Sequence, residues 1–155
     1  MTSHSEPRYM FSYGMNTNTS GMQSRCPDAI CVGRAVLRDH RFDFRGHADV
    51  TQHDDDVVHG LLWLMGPNDM TVMDRVEGYP DYYIREKLWV ECEDGNDYKA
   101  WVYKMRETYA VQPPYEGYLG VVYDGYVENG IPTDQLITAM ERCYDIHSLV
   151  EEYKE

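Results

Sequence analysis

The chain has 155 residues, 43% of them hydrophobic and 26% charged, a length and composition that suit one globular domain and exclude a disordered or fibrous protein. With 14 Lys and Arg against 27 Asp and Glu the formal charge is -13, which repels phosphate backbones and anionic lipid, so neither nucleic acid nor a membrane surface is an expected partner. Mean hydropathy is -0.61, no run approaches the roughly 20 apolar residues that span a bilayer, and the polar start carries no export signal; the expectation is a cytoplasmic protein whose Cys26, Cys31, Cys92 and Cys143 stay as thiols.

Residues 1–7 are polar and read as a frayed segment ahead of a single domain over 8–155. Arg8 to Tyr13 is a short aromatic strand stopped by Gly14, followed by a polar loop from Asn16 to Gly21. Cys31–Leu37, Arg41–Val50 and Val57–Met65 read as three strands, the last almost wholly apolar and of a centrally buried type. Gly66 and Pro67 end it; Asn68 or Asp69 caps a short helix on which Met70, Met73 and Val76 recur at helical spacing, with Gly78 as its stop beside Glu77. Tyr82–Glu93 and Tyr98–Glu107 alternate as strands and are joined by Asp94, Gly95 and Asn96, a hairpin.

Asn129-Gly130 is a hairpin dipeptide, yet Leu119, Val122, Tyr123, Tyr126 and Val127 fall at i, i+3, i+4, i+7 and i+8. The period favours an amphipathic helix after Pro113-Pro114, stopped by Gly130, with Gly117, Gly120 and Gly125 opposing it unless close packing compensates. A further helix, capped by Thr133, runs from Asp134 to about Tyr144, and Asp145 to Tyr153 reads as a last exposed turn or two. The order of elements predicts an α+β fold whose sheet curls into a small mixed β-barrel flanked by a few helices.

The chain lacks the G-x-S-x-G elbow, the phosphate loop and the G-x-G-x-x-G fingerprint. His40, His47, His53 and His59 lie near Asp54, Asp55 and Asp56, and Cys26 stands five residues before Cys31, but neither set has the short fixed ligand pairs of a closed zinc site. No metal and no cofactor are expected.

Three short motifs remain: Tyr13-Gly14-Met15-Asn16 where a strand meets a loop, Glu77-Gly78-Tyr79-Pro80 where a helix meets a loop, and Glu128-Asn129-Gly130-Ile131-Pro132 at a helix end. In this order they resemble the gamma-glutamylcyclotransferase family, whose members look like Tyr-Gly-Ser-Asn, Leu-Asp-x-x-Glu-Gly and Glu-Asn-Gly-Leu-Pro. Met22 to Ala29, Gly46 to Val50 and Val58 to Trp63 are similar to bacterial members too, so the likeness covers about Tyr9 to Met140. It departs at Met15, where the family has serine, and at Thr17, where an apolar residue is usual.

The resemblance implies a small barrel with a cavity in which the α-amino group of a γ-glutamyl substrate attacks its own γ-carbonyl, releasing 5-oxoproline and an amine. It implies Glu77 as the acid/base, the loop of Tyr13, Gly14, Met15 and Asn16 as the substrate cradle, and Tyr118 on the cavity wall. Tyr83 and Tyr103 read as cavity or core tyrosines of the hairpin, and Glu128 to Gly130 as a helix stop that shapes the wall. The partner implied is a small γ-glutamyl molecule, and the protein is expected as a monomer or homodimer.

Those roles agree with elementary chemistry. A carboxylate shielded from water has a raised pKa, which suits it to take a proton from an attacking ammonium and return it to the leaving amine. Each backbone N–H aimed at the tetrahedral oxyanion contributes about 3 to 4 kcal/mol in comparable sites. Two other readings stay open: a non-catalytic protein that binds or sequesters a small molecule in the same cavity, and a scaffold whose acidic surface meets a basic partner.

Overall fold

The computed structural model describes residues 6–152. Five strands close into a barrel: β1 (Arg8–Ser12), β2 (Ile30–Arg45), β3 (His47–Met65), β4 (Tyr83–Cys92) and β5 (Asp97–Met105), in the spatial order β1, β3, β2, β4, β5. Only the closing pair is parallel, with Met10 opposite Trp101 and Phe11 opposite Val102, so the barrel is mixed. Four helices flank it: α1 (Thr19–Arg25), α2 (Asp69–Val76), α3 (Tyr118–Asn129) and α4 (Asp134–Glu152). Among these residues no helix is long and apolar enough to cross a membrane. The α+β class and the small barrel are as the element order predicts.

The core is filled by Met10, Phe11, Leu37, Phe44, Leu61 and Tyr126 among others, each at most 2% exposed. Full burial of a side chain of this size is worth about 1.5 to 3 kcal/mol.

Two sequence expectations are corrected along the barrel. The strands expected at Cys31–Leu37 and Arg41–Val50 are parts of two long ones, because the chain reverses at Gly46 between the paired residues Arg45 and His47. Gly46 takes φ +82, and a Cβ there would lie 2.5 Å from the Tyr115 ring, so glycine serves both the turn and the contact. The acidic run Asp54 to Asp56, which falls between the expected strands Arg41–Val50 and Val57–Met65, lies within β3. It sits where the register slips between Arg38 and His40, with Asp39 and Asp55 at positive φ and the Asp55 N–H donating to Asp39 Oδ1 at 3.1 Å. Asp56 is balanced by Arg41 at 2.8 Å.

The loop expected from Asn16 to Gly21 is also ordered, as a 3-10 turn (Met15–Thr17) followed by α1. Asn18 caps α1 by accepting from the Gly21 N–H at 3.2 Å, a signal present in the sequence but masked by the glycine and the polar run around it.

Arginines hold the outer elements to the barrel. Arg142 of α4 donates to Asp43 Oδ1 at 2.7 Å and to the Phe42 carbonyl at 2.6 Å, while Asp43 and Asp49 flank buried Arg45 at 3.7 and 3.2 Å. Arg45 in turn donates to the Tyr109 carbonyl, and the Gln112 and Tyr115 N–H groups donate to Phe44 and Gly46, so the segment from β5 to α3 is strapped along the β2–β3 turn.

Of the expected stripe of α3, Val122 and Tyr126 are buried and Leu119 is partly buried, while Tyr123 and Val127 are more than half exposed; the inward stripe is Tyr118, Val122, Gly125 and Tyr126, with Tyr118 partly buried. The apolar periodicity of both stripes is similar, and the packing of Gly125 on the 3-10 turn selects this one. Helix α4 is continuous past Tyr144 to Glu152, where a separate turn had been expected. Tyr153 and residues 1–5 of the expected frayed start lie outside the described residues.

Candidate active site

The loop after β1 is fixed from several sides. Ser12 Oγ donates to the Asn16 carbonyl at 3.1 Å and accepts from Trp63 Nε1 at 3.0 Å; Thr17 donates twice to the Gly14 carbonyl, from its N–H at 3.1 Å and its hydroxyl at 2.8 Å. Met15 and Asn16 open the 3-10 turn, so their N–H groups have no acceptor within it. Gly14 allows the chain to pass close to its neighbours: a Cβ there would stand 2.9 Å from the Tyr118 hydroxyl and 3.2 Å from Ala48 Cβ.

The end of α3 clamps this loop from behind. Tyr126 donates to the Tyr13 carbonyl, Asn129 donates to the Thr17 carbonyl at 2.9 Å, and Glu128 Oε1 accepts from the Thr19 N–H at 2.6 Å. Gly130 stops the helix in the left-handed conformation, as its sequence position predicts. The Glu128-Asn129-Gly130 motif does not line the cavity wall, however; it holds the loop that does.

Glu77 follows α2 directly. Met70 and Met73 are buried, which turns Asp74 and Glu77 toward the barrel mouth. Asp74 accepts from the Tyr103 hydroxyl at 2.7 Å and from Arg85 at 2.8 and 3.1 Å, tying the helix to the β4–β5 hairpin. The Glu77 N–H donates to the Met73 carbonyl at 2.8 Å, and Gly78 and the cis Tyr79–Pro80 bond lead the chain away. Glu77 Oε1 accepts from Asn16 Nδ2 at 2.9 Å. Burial pushes the Glu77 carboxyl up from 4.5 to about 7, with the Asn16 hydrogen bond and the Arg25 charge pulling the other way.

Glu77 faces a cavity of about 250 Å³ whose wall includes Tyr13, Gly14, Met15, Asn16, Tyr83 and Tyr118, so the seven residues singled out from the sequence surround one space. Tyr103 lines it as well. Three of its tyrosine hydroxyls are tied to backbone: Tyr13 donates to the Tyr103 carbonyl at 2.6 Å, Tyr83 donates to the Ala48 carbonyl at 2.6 Å, and Tyr118 accepts from the Ala48 N–H at 3.2 Å. Burial raises the pKa of all three, which keeps them neutral. Their rings therefore shape the space, and Tyr118 opens the inward stripe of α3.

Four wall residues with polar side chains carried no functional assignment in the sequence: Ser12, His47, Arg75 and Tyr82. His47 packs among Tyr82, Tyr115 and Tyr118 with ring centroids 4.9 to 5.7 Å away, its Nδ1 lies 2.9 Å from the Tyr82 hydroxyl, and burial lowers its pKa. The Gly46-His47-Ala48 segment was the available signal for it. Among the described residues no three His, Cys, Asp or Glu side chains come together in an arrangement that could hold a metal.

The family model described as gamma-glutamyl cyclotransferase, AIG2-like, matches residues 10–120. The chain is 30% identical over 137 residues to the gamma-glutamylcyclotransferase of Mus musculus and 28% identical over 137 residues to that of Bos taurus, covering 80% of this chain and 72% of each relative. A solved structure named gamma-glutamyl cyclotransferase superposes with a TM-score of 0.77 at 25% identity, over 87% of both chains.

Proposed function

The chain belongs to the gamma-glutamyl cyclotransferase, AIG2-like family, and on that premise we propose that it cyclises the γ-glutamyl group of a γ-glutamyl amine or γ-glutamyl amino acid to 5-oxoproline and releases the amine. The observation that supports this reading most strongly is the Glu77 carboxyl: it faces the cavity, is held by Asn16 at 2.9 Å, and has its pKa at about 7. A group balanced at that value accepts and returns a proton near neutrality with little cost in either direction.

In the proposed reaction Glu77 takes a proton from the substrate's α-amino group. The freed nitrogen attacks the γ-carbonyl carbon, forming the lactam C–N bond and placing negative charge on the carbonyl oxygen. The N–H groups of the Gly14 to Asn16 loop are the donors available for that oxyanion. As the tetrahedral centre collapses, the original amide C–N bond breaks and the proton on Glu77 passes to the departing nitrogen; Glu77, ionised again, takes the second proton from the ring nitrogen and returns it to the released amine, leaving 5-oxoproline, the amine as its ammonium ion and ionised Glu77. Both reacting groups belong to one molecule, so holding a folded conformer supplies much of the acceleration, and the ring-lined cavity suits that task. Cytoplasmic residence is part of the same proposal, supported by four unpaired thiols, of which Cys31 is exposed.

The test is 5-oxoproline release from a panel of γ-glutamyl amines and γ-glutamyl amino acids, by the native protein and by Glu77→Gln. Turnover lost in the variant with its fold intact supports the reading. No turnover on any compound, with ligands raising the thermal stability of both proteins, assigns the cavity to binding alone.

A further inference from the structure

Arg25 occupies the last turn of α1 and reaches back over it to the active-site loop. Its Nη2 donates to Asn16 Oδ1 at 2.7 Å, while Asn16 Nδ2 donates to Glu77 Oε1 at 2.9 Å. The Arg25 Nε is buried with no partner among the described residues, so the guanidinium is committed to this place and not to a surface ion pair. Gly21, one turn earlier, makes room for it: a Cβ there would stand 3.0 and 3.1 Å from the two guanidinium nitrogens. Arg25 does not line the cavity, so it acts on the site from behind Asn16.

The chemistry of this relay is directional. Arginine has donors only, so the side of the Asn16 amide that faces it must be the oxygen. The side that faces Glu77 is then always the NH₂. Glu77 Oε1 receives that donor in both protonation states, and a proton taken up by the carboxyl is sent to Oε2, which makes no hydrogen bond among the described residues and is not sealed off by protein. With the amide turned over, its oxygen would accept the proton of neutral Glu77 and hold it in an internal hydrogen bond.

We propose that Arg25 is a positioning residue for the cyclotransfer: by fixing the Asn16 amide as a pure donor it keeps the mobile proton on the Glu77 oxygen that faces the cavity. The inference rests on the catalytic reading of Glu77 above. The groups that face Glu77 are Arg25 on α1, Arg75 on α2, His47 on β3, Tyr13 after β1, Tyr82 and Tyr83 at the start of β4, Tyr103 on β5 and Tyr118 on α3. Burial raises all five tyrosines and lowers His47, and the nearby charge that favours ionised Glu77 is Arg25. Loss of that charge and of the fixed Asn16 donor both disfavour the carboxylate, so the acid limb of kcat/KM moves to higher pH.

The experiment compares native protein, Arg25→Gln and Arg25→Lys across pH 5.5 to 9, with 5-oxoproline release as one readout and the ¹³C carboxyl titration of Glu77 by NMR as the other. For Arg25→Gln the expected result is a fall in kcat of about tenfold or more with KM changed less than about threefold, and both the acid limb and the NMR midpoint displaced upward. Arg25→Lys, which keeps a charge and a donor, recovers part of each and guards against misreading a fold defect, for which thermal unfolding is the control. A purely structural Arg25 would lower stability and leave the pH profile and the midpoint unmoved, and that result overturns the proposal. If the native protein turns over no γ-glutamyl compound, the catalytic reading itself falls; the Glu77 midpoint in Arg25→Gln then still decides whether Arg25 holds the pair, an unmoved midpoint overturning the relay.

Discussion

Gly125 of α3 lies against Thr17 so closely that a methyl group in its place would overlap the Thr17 hydroxyl and stand 2.7 Å from the Thr17 carbonyl carbon. This contact is where the helix and the active-site loop become one rigid piece, since Thr17 bonds to Gly14 and Asn129 bonds to Thr17. Gly120, on the same helix, has open space where its Cβ would be.

The two glycines make opposite predictions for the same substitution. Alanine in a helix is favoured over glycine by about 1 kcal/mol, so Gly120→Ala stabilises the protein by up to about that amount. Gly125→Ala forces the loop away and destabilises it by about 1 to 3 kcal/mol net, the usual cost of overpacking, and lowers 5-oxoproline release because Asn16 shifts with Thr17. Urea unfolding of both variants decides the matter; equal effects at the two positions would refute the packing account.

Glu77 carries a stability cost that follows from its raised pKa. Its folded value of about 7 lies above the ordinary 4.5. The native state therefore holds the proton more tightly than the unfolded chain. That contribution is fully present below about pH 4.5 and is lost as pH rises through about 7, where the buried carboxylate must ionise. Glu77→Gln keeps a neutral side chain throughout, so at pH 8 it is more stable than the native protein by roughly 2 to 4 kcal/mol, and at pH 4.5 the two converge. Chemical denaturation at the two pH values measures this; a constant difference would mean that Glu77 is not shielded.

The same value sets the pH dependence of turnover. The proposed first step needs ionised Glu77, so kcat/KM rises as pH increases through about 7 and its acid limb reports this carboxyl. In Glu77→Gln the residual rate is lower by about 10² to 10⁴-fold and that limb is gone. A native acid limb near pH 4.5 would place the working base elsewhere.

How far the sequence could be read depended on the range of the forces involved. Local signals carried the β4–β5 hairpin through Asp94-Gly95-Asn96, the stop of α3 at Gly130, and the place of Glu77 beside Gly78. The first of the ordered motifs located the cavity wall from Tyr13 to Asn16, and the resemblance they carry implied Tyr118 on it. Arg41 to Val50 misled because Gly46 resembles a strand interior until Tyr115, distant in sequence, is seen against it. The true stripe of α3 depends on Gly125 meeting Thr17, a contact between residues far apart in the chain, and no periodicity encodes that. Arg25 was hidden for a related reason: its partner Asn16 is nine residues earlier, and only the 3-10 turn between β1 and α1 brings the two together.

The last prediction concerns the buried charges that strap the β5–α3 segment. Arg45, Asp43 and Asp49 have side chains 8%, 7% and 3% exposed, and Asp49 also accepts from the Met105 N–H at 2.9 Å. Asp43 keeps Arg142 if Arg45 is removed, but Asp49 keeps no cation among the described residues. Arg45→Met therefore destabilises the protein by about 3 to 5 kcal/mol at pH 7, the cost of stranding a buried charge. Burial already holds the Asp49 carboxyl above its ordinary value while Arg45 pulls it down; without Arg45 it rises further, so acidification neutralises Asp49 and shrinks the loss. Adding Asp49→Asn removes the stranded charge and recovers part of the stability at pH 7 while leaving pH 5 little changed. If Arg45→Met costs the same at both pH values, the destabilisation comes from the lost bond to the Tyr109 carbonyl and not from the unpaired carboxylate.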